Sequence, residues 1–128
     1  MYKNILTYGT FDLLHYGHLN ILMGAKALGK KLYVGLSSDA FNQSKGKTSF
    51  LSYEKRYNLL QELKSVNHIF PELNWQQKRD DIKKYQIDCF VMGSDWEGKF
   101  GDLKDLCEVV YIKRTKDISS TLIKNSLI

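Results

Sequence analysis

The chain has 128 residues, 43% of them hydrophobic, a single proline and a formal net charge of +5. This composition excludes a disordered chain and suits one domain, residues 1–128, with a core large enough to fold without disulfide or metal staples. No apolar run approaches the roughly 18 residues needed to span a bilayer and no signal-peptide core opens the sequence, so a cytoplasmic protein without membrane contact is expected.

The elements follow in chain order. "NILTYGT" is β-branched and aromatic and ends at glycine, giving a strand at about residues 3–9. "GHLNILMGAKALGKK" sets Leu19, Leu22, Met23, Ala27 and Leu28 on one helical face, with Gly29 closing the helix. "KLYVGLS" is a short buried strand, and a polar loop, "SDAFNQSKGKTSFLS", follows it. A second helix starts at Ser52 with Lys55 and Arg56 and carries Tyr57, Leu60, Leu63 and Lys64 as a half-buried helix should. "NHIFPE" is a strand stopped by Pro71, "NWQQKRDDIKKYQ" a charged third helix, and "DCFVMG" and "CEVVYI" two further strands. "SSTLIKNSLI" is a terminal helix capped by Ser119. Alternating strands and helices predict an α/β domain: one parallel, Rossmann-like sheet of about five strands with helices on both faces.

Such a sheet binds ligands at the carboxyl ends of its strands. Thr10, Phe11, Asp12, His15 and His18 lie there, between strand one and helix one, where helix N-terminal amides suit a phosphate. Two imidazoles at i and i+3 could also bind metal, but the remaining ligands are missing, and Cys89 and Cys107 match no zinc spacing. A structural role could account for one of the two rings. "KGKTS" resembles the end of a Walker loop, yet Phe41 stands where that motif needs glycine. Lys45 and Lys47 then remain either ligand groups or ordinary loop charges. Basic residues are dispersed and no nucleic-acid motif is visible, so the positive excess fits small anionic ligands and no nucleic-acid partner.

"TYGTFDLLHYGH", "SYEKR", "NWQQKRDDI", "FVMGSDWEGKF", "CEVVY" and "RTKDISST" together resemble, in order and over essentially the whole chain, the glycerol-3-phosphate cytidylyltransferase family of the nucleotidyltransferase superfamily. The resemblance implies transfer of CMP from CTP to sn-glycerol 3-phosphate, releasing pyrophosphate, in a homodimer using Mg2+ carried mainly by the CTP phosphates. By the same resemblance His15, His18, Lys45 and Arg114 are catalytic. Thr10, Phe11, Gly17, Lys47, Asp95, Trp96, Thr115, Ser119, Ser120 and Thr121 join His15, His18 and Arg114 around CTP. Lys45, Lys78, Trp75 and Arg56 serve the acceptor, Arg56 having a plain helix-surface charge as its other reading. Three departures from the family pattern stand out: Asp117 replaces a glycine, Ser120 a threonine and Ser94 an aspartate. Two other functions stay open: transfer to a different small phosphate ester, and a catalytically silent nucleotide sensor.

Overall fold

The computed structural model describes residues 1–113. Five strands, β1 (Tyr2–Gly9), β2 (Gly29–Ser37), β3 (His68–Glu72), β4 (Cys89–Gly93) and β5 (Glu108–Ile112), form one sheet in the order β3-β2-β1-β4-β5. Every pairing is parallel, as the alternation of strands and helices predicts. Four helices accompany them: α1 (Tyr16–Ala27), α2 (Asp39–Ser44), α3 (Tyr53–Gln61) and α4 (Lys78–Lys84). The terminal helix expected at 119–128 lies outside the described residues.

Strand alternation sends neighbouring side chains to opposite faces, and two separate cores result. Ile5, Leu32, Val34, Leu36, Cys89 and Val91 pack against Leu22 and Ala25 of α1 and Leu60 of α3. On the other face Leu6, Tyr8, Phe70, Phe90 and Met92 meet Ile82 of α4 and Phe100 and Leu103 from the segment before β5. The chain moves from β1 outward to β3 and then returns across β1 to β4. That reversal leaves a crevice at the carboxyl ends of β1 and β4.

Several local expectations are corrected. In α1 the buried face runs through Gly17, Leu22 and Ala25, whereas Met23 is 62% exposed; a 3.6-residue period puts Met23 too far round from Leu22 to share its face. Gly29 does not end the helix but opens β2, where a Cβ would lie 2.7 Å from the Ile5 side chain and 2.8 Å from the Tyr2 carbonyl. Pro71 does not stop β3. The strand is at the sheet edge, and the Pro71 carbonyl accepts from Gln77 Nε2 at 3.1 Å, so this residue's hydrogen-bonding edge faces away from β2. The loop after β2 contains α2, capped by Ser38 Oγ on the Phe41 amide. The third helix begins as a 3-10 turn, Trp75–Gln77.

Candidate active site

The crevice holds a cavity of about 570 Å³. Thr10, Phe11, His15, Gly17 and His18 line it from the β1–α1 turn, Lys45 and Lys47 from the end of α2, Trp75 and Lys78 from the start of α4, and Asp95 and Trp96 from beyond β4. Every candidate residue within the described part of the chain therefore reaches one cavity, with the exception of Arg56. Arg114, Thr115, Ser119, Ser120 and Thr121, together with Asp117, lie outside the described residues.

The histidine spacing has a local cause. His15 is the N-cap of α1, its Nδ1 accepting the Gly17 amide at 3.0 Å, while His18 Nδ1 accepts the His15 amide at 3.4 Å. An i, i+3 pair at a helix start closes a capping box. Because both Nδ1 atoms act as acceptors, each neutral ring carries its proton on Nε2. The rings stack at 3.9 Å between centroids with 20° between planes, and Phe11 sets its edge on His18. Burial, then the neighbouring His15 charge, push the His18 pKa down to about 4, with Asp12 opposing. At neutral pH His18 is an uncharged N–H donor.

The turn leading into the histidines is strained and clamped. Phe11 and Leu13 both take φ of 49°, a left-handed conformation costing on the order of 1–3 kcal/mol each for such residues. Between them Asp12, 3% exposed, accepts the amides of Phe50 at 2.6 Å and Leu51 at 3.0 Å. Gly9 is required below it, since a Cβ there would stand 2.7 Å from the Phe11 ring.

Arg56 corrects the sequence reading. It is wholly buried and does not line the cavity. Its Nη1 donates to the carbonyls of Thr10 at 3.0 Å and Ser37 at 2.7 Å, its Nε to Leu51 at 3.1 Å, and its Nη2 pairs with Asp39 at 2.8 Å. A planar five-donor fork suits such a junction better than lysine would. It binds the ends of β1 and β2 to the start of α3, so its part is to brace the site and not to touch the acceptor. The Tyr53 amide, shared between both carboxylate oxygens, and Arg56 together hold the Asp39 carboxyl below its ordinary pKa, against its partial burial.

Two lysines lie close to the same tryptophan ring. Lys78, 6% exposed, pairs with Glu72 at 2.9 Å and lies 4.6 Å from the Tyr8 ring centroid and 5.0 Å from that of Trp75. Lys45 sits 4.2 Å from the Phe41 centroid and 5.4 Å from Trp75, with Nζ 3.5 Å from Ser37 Oγ. Burial lowers its pKa, Glu72 opposing. Glu72 and Ser37 are site residues that the sequence reading did not name. Both stand at the carboxyl edge of a parallel strand, and a glutamate closing an apolar strand at that edge was the available signal.

Cationic and neutral N–H donors lining one cavity can hold two phosphate groups and neutralise charge developing between them. The chain belongs to the cytidylyltransferase-like family, whose model matches residues 6–126. Among curated proteins it is 52% identical over 125 residues to the glycerol-3-phosphate cytidylyltransferase of Staphylococcus aureus, covering 98% of this chain and 95% of that protein. It is 53% identical to the Bacillus subtilis protein of the same name, covering 98% and 97%. The identity to the ethanolamine-phosphate cytidylyltransferase of Mus musculus is 31%, covering 88% of this chain and 30% of that one. Among solved structures, a lipopolysaccharide core biosynthesis protein from Thermoplasma volcanium superposes with a TM-score of 0.75 at 23% identity, covering 91% of this chain and all of that one, a likeness of fold.

Proposed function

We propose that the chain transfers CMP from CTP to the phosphate of sn-glycerol 3-phosphate, giving CDP-glycerol and pyrophosphate, a product suited to teichoic acid or capsule polymer synthesis. The observation that carries the reading is a single cavity lined by the His15–His18 turn together with Lys45, Lys47 and Lys78. The close relatives supply the substrates by name.

The acceptor phosphate has a second pKa near 6 and is largely dianionic at neutral pH. One of its oxygens attacks the α-phosphorus in line, forming the new P–O bond as the bond to pyrophosphate breaks. No general base is needed. The obstacle is repulsion between anions, so rate comes from positioning and from donors aimed at developing charge, each contributing roughly 3 kcal/mol. His15 and His18 donate through Nε2–H toward the triphosphate. Lys47 neutralises the same group, and Lys45 and Lys78 take the acceptor phosphate. Asp95 and Trp96 border the cytidine. The second family motif at Arg114–Thr121 is assigned to the triphosphate by resemblance.

The magnesium expected from the family suits a site of this kind. Mg2+ binds through one or two carboxylates plus substrate phosphates and keeps several waters, so it needs no cage of protein ligands. Carried on the CTP phosphates, with Asp95 the cavity carboxylate toward the nucleoside end, it would neutralise the pyrophosphate that leaves. The homodimer belongs to the same reading, and sedimentation equilibrium checks it.

Pyrophosphate release with CTP and a panel of phosphate esters tests the assignment. Glycerol 3-phosphate is expected to be used best, and CTP to be preferred over ATP because the pocket beside Asp95 and Trp96 suits a pyrimidine. Equal efficiency with ATP would leave only the nucleotidyltransferase class. Better use of another ester would move the acceptor.

A further inference from the structure

Glu72 stands out because a carboxylate is the wrong charge for a cavity built to hold two anionic substrates. It lines that cavity, is 3% exposed, and both of its oxygens are engaged. Oε2 accepts from Lys78 Nζ at 2.9 Å and Oε1 from Ser37 Oγ at 2.8 Å. Ser37 Oγ in turn lies 3.5 Å from Lys45 Nζ. The chain Lys78–Glu72–Ser37–Lys45 thus links the two ammonium groups, and both lie within 5.4 Å of the Trp75 ring centroid. A burial this deep is tolerated because the charge is paired and hydrogen-bonded.

We infer that Glu72 is the positioning residue of the acceptor half of the site, holding Lys78 directly and Lys45 through Ser37 so that both ammonium groups meet one phosphate. The inference rests on the proposed acceptor role of the two lysines. Left without Glu72, they would stand near each other in a partly buried pocket. The other charged groups acting on Lys45 are Lys47 beside it, Lys78 of α4 and Arg56 of α3, all positive. Glu72 of β3 is the carboxylate that favours its protonated form. Two consequences follow. A lysine swung out of place lowers acceptor affinity without touching CTP, and a Lys45 proton that is lost more readily costs acceptor use on the alkaline side.

The test is a pair of variants, Glu72→Gln and Ser37→Ala, with kcat and KM measured for both substrates between pH 6 and 10. Glu72→Gln keeps the shape and removes the charge. It is expected to raise KM for glycerol 3-phosphate roughly tenfold, the loss of one charged hydrogen bond, with KM for CTP within about twofold. The alkaline limb of kcat/KM for the acceptor is expected to move down by about one pH unit. Ser37→Ala, which leaves the Lys78 pair intact, should raise acceptor KM about threefold. An unchanged or lower acceptor KM in Glu72→Gln would overturn the inference, as would an equal rise in both KM values. If Glu72→Gln does not fold, Ser37→Ala decides by the same selectivity. Inactivity of the wild-type enzyme with every ester would defeat the functional reading alone. Calorimetric binding of inorganic phosphate would then judge Glu72, with weaker binding by the glutamine variant supporting it and equal or tighter binding overturning it.

Discussion

Two of the segments that bring donors to the cavity are built in opposite ways. The turn from Thr10 to His18 is fixed at every step: Arg56 holds the Thr10 carbonyl, Asp12 reaches across to two amides, and each histidine accepts a backbone N–H. The stretch from Lys45 to Ser49 is anchored at its ends. Phe41 and Asn42 are buried before it, and the Lys47 amide reaches the Asn42 carbonyl at 2.9 Å. Beyond the Asp12 clamp the chain is again tied down at Phe50. Gly46, Lys47 and Thr48 are exposed, and a Cβ at Gly46 would meet nothing within 4 Å. A strained, fully bonded turn keeps its donors in place before the substrate arrives. A short exposed arch with a glycine at φ of 74° is expected to close afterwards, and hydrogen exchange across residues 45–49 with and without substrates checks it.

That contrast can be broken or sharpened by mutation. The largest effect is expected at the brace. Arg56→Ala strands three backbone carbonyls and should cost about 3 kcal/mol or more, read as a fall in the denaturant midpoint. Retained stability would mean the turn does not depend on it. Next come His15→Ala and His18→Ala, each expected to cut kcat at least about a hundredfold while costing only the roughly 1 kcal/mol of a lost helix cap in stability. A collapse in stability with activity retained would make the rings structural. In the arch the effects should be smaller and divided by substrate. Lys45→Ala weakens acceptor use more than CTP binding, and Lys47→Ala does the reverse. Both splits are read from the two KM values, and a uniform change in either variant speaks against separate roles.

The last prediction is a pH dependence, small at neutral pH and growing only in acid. His18 titrates at about 4 when folded, below the ordinary 6.5, so as pH falls the unfolded chain takes up the proton first. The stability due to the neutral ring is therefore complete above about pH 6.5 and is lost between 6.5 and 4, at up to about 1.4 kcal/mol per pH unit. Wild type and His18→Asn should diverge in that window, in unfolding free energies measured against pH. Parallel curves would mean the ring is not buried neutral.

How much of this was legible in the sequence differs between backbone and side chains. Period and punctuation suffice for the parallel sheet, because "NILTYGT" and "FVMG" are apolar on both faces. They also locate the histidine turn, since the ligand edge follows from strand direction. What escaped was the partner of each charge. Arg56 reads as a surface helix residue by spacing, and only the meeting of β1, β2 and α3 buries it. Glu72 follows a proline and reads as the end of a strand, while its engagement with Ser37 depends on a strand 35 residues away and that with Lys78 on how the chain turns into α4. Short helices were hidden as well. Six residues of α2, four of them polar, give little periodicity, and Ser38 capping Phe41 was the available sign.

The central claim is that this site joins two phosphates and does not merely bind a nucleotide. Phosphorus NMR of the products formed from CTP and sn-glycerol 3-phosphate with Mg2+ tests it most directly, with His18→Ala as the control. The account predicts CDP-glycerol and pyrophosphate in equal amounts from the wild-type chain, and at least about a hundredfold slower formation in the variant. CTP bound but left intact would contradict it and mark a silent sensor, and CMP released without CDP-glycerol would mark hydrolysis in place of transfer.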